Sequence, residues 1–245
     1  MTLHSGPAAA LPAARMPAGF VRAIRAALTP LADPLRVQPM TAYMRDQFAF
    51  LGVAAPARRA ATRTTIKALV AQRNAALLLD SAASLWRKQE REFHYTAVDL
   101  LVAGQKMLEP AALPALSTFI TRQSWWDTVD PLAADVIGPL VARHPALIRT
   151  MDAWSADDNL WLRRTAILHQ LKYGARTDAR RLFAYCVANA EDPDFFIRKA
   201  IGWALRQFAY ADRAAVQSFL TKERARLSPL SLREAGKHLS LPNAE

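Results

Sequence analysis

The chain has 245 residues, 52% of them hydrophobic, so it can bury a sizeable core, and disorder throughout is excluded. Its single cysteine, Cys186, excludes an internal disulfide and a thiolate metal cluster, and the residues His4, His94, His144, His169 and His238 show no paired zinc spacing. No apolar run reaches the roughly 18 residues of a membrane span, so neither membrane insertion nor a metal or other cofactor is expected. Lys and Arg outnumber Asp and Glu by 32 to 21, a net charge of +11. That surplus suits a polyanionic partner, nucleic acid before a membrane surface, but also fits a solvated basic surface that only aids solubility.

Eight glycines and an apolar set dominated by Ala and Leu favour helices over sheet. Residues 1–18 read as a flexible leader: no cation precedes Arg15, and Pro7 and Pro12 break the segment, unlike a secretory signal. A cytoplasmic location follows as the default. Residues 19–245 then read as a single domain of amphipathic helices with short polar connections. These are expected at 19–33, 40–53, 57–73, 76–89, 90–108 and 114–123, around 124–143, and at 144–155, 158–174, 177–190, 195–210, 213–224 and 231–239. Asp157 or Asp158 can cap the helix near Asn159, Gly174 is placed to end it, and Pro193 and Pro229 are expected in connections. Consecutive helical hairpins without a linker predict an all-α fold, an α-solenoid with degenerate repeats.

Three places depart from ordinary helical patterning. In FFIRKAIGWALRQFAY, Ile197, Ile201, Ala204, Leu205 and Phe208 form a core stripe, while Lys199, Trp203 and Arg206 share the opposite face. A tryptophan between two cations there fits a ligand-facing site, a surface cation–π cluster or a contact with a neighbouring repeat. Gly202, one step around, would admit another backbone closely. In NLWLRRTAILHQLKYG, Arg164 falls inside the stripe of Leu160, Ile167, Leu168 and Leu171, so it needs a carboxylate or an external phosphate. Lys172 follows near the C-terminus, where it can serve as a dipole cap.

The third is SWWDTVDP, residues 124–131. In a helix, Trp126 and Asp130 share a face and Trp125 points away toward a core. Ser124 and Asp127 have the spacing of a capping box. Asp130 before Pro131 equally fits an N-cap with proline at the first helical position.

These segments, with YMRDQFAFLGV (43–53), LWRKQEREFHYTAVDLL (85–101) and LSPLSLREAGKHL (227–239), resemble the alkylpurine DNA glycosylases built from HEAT-like helical repeats, the AlkD family. The resemblance covers roughly residues 40–240 in order. It implies a concave basic DNA-binding face, a catalytic carboxylate at Asp130, flanking tryptophans at Trp126 and Trp203, and Arg164 working beside the carboxylate. Lys172, Lys199, Arg206 and Tyr43 become the expected DNA contacts. Pro131, directly after the catalytic position, is a departure that would kink the helix there.

The implied activity is monofunctional hydrolysis of the N-glycosidic bond of cationic purines such as N7-methylguanine and N3-methyladenine, in base excision repair. The expected partner is double-stranded DNA containing alkylated purines, met by a monomer. Such a base carries its own positive charge and leaves without a general acid. A carboxylate stabilises the oxocarbenium-like sugar and can position the attacking water. The alternative, from another class, is a non-catalytic helical-repeat module that binds DNA or protein.

Overall fold

The computed structural model describes residues 16–237 and Leu239. Most of the expected leader, with His4 and His238, lies outside the described residues. Among these residues the fold is all-α, with one isolated bridge between Ala49 and Glu90. Among the described residues no helix is long and apolar enough to cross a membrane. The chain forms two compact units, Met1–Met107 and Leu108–Glu245.

The first unit holds α1 (Met16–Leu28), α2 (Pro34–Tyr43), α3 (Ala55–Val70), α4 (Ala75–Trp86) and α5 (Arg91–Gly104). α1 packs on α3 and α4, and α5 packs on both of those, around Ile24, Leu28, Leu78, Leu85, Phe93 and Leu101. The helix expected at 40–53 is not formed. The helix instead begins at Pro34, where the Asp33 carboxylate accepts the Leu35 N–H, and it ends at Tyr43. Beyond it Arg45 and Asp46 take left-handed backbone angles, and the chain runs on extended. Its apolar residues Phe50 and Val53 still reach the core, because the buried Glu92 carboxylate accepts N–H groups from Leu51, Gly52 and Val53 at 2.9–3.1 Å. Those donors would otherwise be taken out of water unpaired.

The second unit runs through α6 (Leu113–Thr121), α7 (Trp126–Pro131), a π-helical segment (Leu132–Ile137), α8 (Gly138–Arg143), α9 (Ile148–Trp154) and α10 (Leu160–Leu168). It continues with α11 (Ala179–Ala188), α12 (Phe195–Ala209), α13 (Arg213–Lys222) and α14 (Pro229–Gly236). Of the helices that line the site, α10, α12 and α14 start at side-chain caps. Asn159 accepts from Trp161, Asp194 from Phe196, and Ser228 from Ser231, each through a backbone N–H. Asn159 is thus the cap itself, while Asp157 accepts its N–H. Gly174 does adopt positive φ, but α10 has already ended at Leu168. Pro229 starts α14 instead of lying in a connection, as suits a residue without an N–H to satisfy.

Two local readings around 124–131 are corrected. No capping box forms: the Ser124 hydroxyl donates to Ile120 O, and α7 starts after Trp125 without a side-chain cap. Nor is Asp130 an N-cap, because it lies inside α7 and the chain stays helical across Pro131. Pro131 removes one N–H from the ladder, yet the Leu132 N–H still reaches Thr128 O, and a π-helical segment follows in which the Gly138 N–H reaches Ala133 O.

Candidate functional site

Asp130 projects from the last turn of α7 and is 8% exposed. Arg164, on α10, grips it with two bonds, Nε to Oδ1 at 2.7 Å and Nη2 to Oδ2 at 2.8 Å. Arg164 also donates Nη1 to Phe196 O at the start of α12. The arginine inside the apolar stripe is therefore a buried fork clamping a carboxylate. Burial pushes the Asp130 carboxyl above the usual range, and the charge and hydrogen bonds of Arg164 pull it partly back.

A cavity of about 340 Å³ opens beside this pair. Its walls carry Trp126, Asp130, Arg164, Phe195, Phe196, Lys199, Trp203, Arg206 and Glu234. Trp126, Asp130, Arg164, Lys199, Trp203 and Arg206 were legible as candidates in the sequence, and the fold brings all six to one cavity. They arrive there on three helices, α7, α10 and α12, each buried along its other face. On α12 the core residues Ile197, Ile201, Ala204, Leu205 and Phe208 are all buried, which turns Lys199, Trp203 and Arg206 to the cavity. Trp125 packs against Trp161 and Phe196 with ring centroids at 5.9 and 4.9 Å, an aromatic support behind α7.

Two expected contacts lie elsewhere. Lys172, more than half exposed, pairs with Asp135 in the π-helical segment and does not line the cavity. Tyr43 is 70% exposed at the end of α2, in the first unit.

Three lining residues were missed by sequence reading. Phe195 and Phe196 read as ordinary helix-start residues, and their only signal was an unusual aromatic pair directly after the Asp194 cap. Glu234 gave no signal, because Lys199 and Arg206 lie on another helix far back in the sequence, and Lys237 alone reads as an ordinary i,i+3 pair. Its carboxylate receives Lys199 Nζ at 2.9 Å, Arg206 Nη1 at 2.7 Å and Lys237 Nζ at 2.9 Å. Burial opposes its ionisation, yet the three donors together hold it at about 2.

With this arrangement in view, the comparisons with known proteins are decisive for family. The sequence model of the family described as DNA alkylation repair enzyme matches residues 24–239. The chain belongs to that family. It is also similar to a solved structure described as "Predicted DNA alkylation repair enzyme from Enterococcus faecalis", at 30% identity and a TM-score of 0.79. The match covers 85% of this chain and 96% of that one. No curated protein matches the chain. Membership in the DNA alkylation repair enzyme family agrees with the all-α helical-repeat architecture and supports an enzyme role in repair of alkylated DNA, with DNA as its partner.

Proposed function

We propose that the protein is a monofunctional DNA glycosylase that hydrolyses the N-glycosidic bond of cationic alkylpurines, N7-methylguanine and N3-methyladenine, in base excision repair. The observation that carries this reading is the Asp130 carboxylate on a cavity wall shared with Trp126 and Trp203.

In the reaction, the bond between C1′ and the purine nitrogen breaks and its electron pair passes to the base, cancelling the alkylation charge. The base needs no proton to leave. Positive charge develops on the sugar at C1′ and O4′, where Asp130 stabilises it. The electron-rich faces of Trp126 and Trp203 favour the same cation by about 0.5–2 kcal/mol each. Water then bonds to C1′ and gives up a proton, with Asp130 placed to direct it. Arg164 keeps the carboxylate ionised and fixed in orientation, so little reorganisation is required as charge appears.

Lys199 and Arg206 neutralise phosphates next to the lesion, with Lys172 and Tyr43 as further backbone contacts. In this reading the protein acts as a cytoplasmic monomer on double-stranded DNA, and its one cysteine, Cys186, is buried away from reaction.

The reaction class is tested with duplexes carrying one N7-methylguanine, one N3-methyladenine or one uncharged lesion such as hypoxanthine. Release of free base from the first two, leaving an intact strand with an abasic site, is expected. Strand cleavage without added base, or excision of the uncharged lesion at an equal rate, would remove the cation-driven mechanism. Salt-sensitive duplex binding with no release from any lesion would favour a non-catalytic DNA-binding module.

A further inference from the structure

A carboxylate lining a cavity that receives DNA repels the phosphates it meets, so its retention there calls for a compensating role. Glu234 is such a group. It is 7% exposed, and Lys199, Arg206 and Lys237 all converge on it. Three cations around one carboxylate leave the cluster net positive. Arg206 spends Nη1 on Glu234, and no partner among the described residues takes its other nitrogens.

The close approach that makes this possible is built into α12. At Gly202 a Cβ would lie 2.4 Å from Glu234 Cβ and 2.8 Å from Ser231 O. The two helices are also tied without Glu234, by the Ser231 hydroxyl donating to Arg198 O at 2.9 Å. The carboxylate is therefore not the sole link between α14 and α12.

Resting on the glycosylase reading above, we propose that Glu234 is a positioning residue, fixing Lys199 and Arg206 beside Trp203 so that both engage one phosphate group next to the lesion. Free lysine and arginine side chains sample many rotamers, and a shared anchor orders them before DNA arrives. Glu234 trades raw affinity for geometry.

The test replaces Glu234 by Gln in the full chain. Three quantities are read: affinity for an undamaged duplex over a salt series, the single-turnover excision rate at saturating enzyme, and the melting temperature. Glu234→Gln removes the carboxylate charge from three cations and so adds one net positive charge. Undamaged duplex should bind several-fold tighter, with a log–log salt slope steeper by about 1. Excision should slow by about tenfold or more. In a Lys199→Met/Arg206→Met background the same substitution should change the rate no further, because Glu234 acts through those cations.

Affinity and rate falling in parallel with the melting temperature would mean a helix-packing role only, and would overturn the proposal. So would additive effects in the double-variant background. If the wild type releases no base, the glycosylase reading fails separately, and binding alone judges Glu234. A steeper salt slope then supports it and an unchanged slope overturns it.

Discussion

Asp130 is held between opposing influences, since burial disfavours its charge while the Arg164 fork restores it. Removing Arg164 leaves only the first. Arg164→Gln is therefore expected to move the acid limb of the excision pH profile to higher pH, besides lowering the rate. Single-turnover rates from acid to neutral pH would check this, and an unmoved limb would mean Arg164 does not set the charge of Asp130. His169 shows the same physics in a base. It is buried, its Nδ1 meets Ala166 O at 2.7 Å, and burial pushes it from 6.5 down to about 4. A base with a depressed folded value takes up its proton more readily when unfolded, so its cost is absent above pH 6.5 and grows as pH falls toward about 4. His169→Gln should flatten the decline in melting temperature across that window. An unchanged slope would assign the decline to other groups.

At the scale of elements, two glycines decide how closely helices approach. A Cβ at Gly138 would lie 2.2 Å from His169 O, and the neighbouring Tyr173 hydroxyl donates to Gly138 O at 2.8 Å. Backbone cannot swing aside as a side chain can, so Gly138→Ala should destabilise by about 1–3 kcal/mol or more, read by denaturant unfolding. Gly202→Ala should also weaken excision, because it pushes α14 and Glu234 from Lys199 and Arg206. Normal stability and activity in both variants would contradict these close contacts. Gly202 was legible in the sequence as a point of close approach, and so was the whole of α12, because its two faces differ so sharply in chemistry. The region 40–53 was not legible. Its apolar residues have helix-like spacing, but their burial comes from an extended segment whose N–H groups are satisfied by Glu92. Asp130 with Pro131 was ambiguous for a related reason. A proline commonly marks a helix start or stop, whereas here α7 runs through Pro131 and continues into a π-helical segment.

For the whole molecule, the +11 charge and the site cations make a prediction about solution behaviour. Each phosphate neutralised by Lys or Arg contributes about 0.9 to the slope of log affinity against log salt. Lys172→Met should reduce that slope by about 1 and weaken all duplexes alike. A flat salt response in the wild type would remove the phosphate backbone as the main contact. Charge and family alone could not reveal how these cations are held, since Asp135 and Glu234 reach Lys172, Lys199 and Arg206 only through the fold.

The most direct test of the central claim measures free base from a duplex containing one N7-methylguanine, using wild-type protein and Asp130→Asn under single-turnover conditions. Asn keeps the size of the side chain and removes its charge. Release by the wild type, slowed about 100-fold or more in the variant while duplex binding persists, is the predicted result. Equal rates in the two proteins would contradict Asp130 as the group that stabilises the departing sugar's charge.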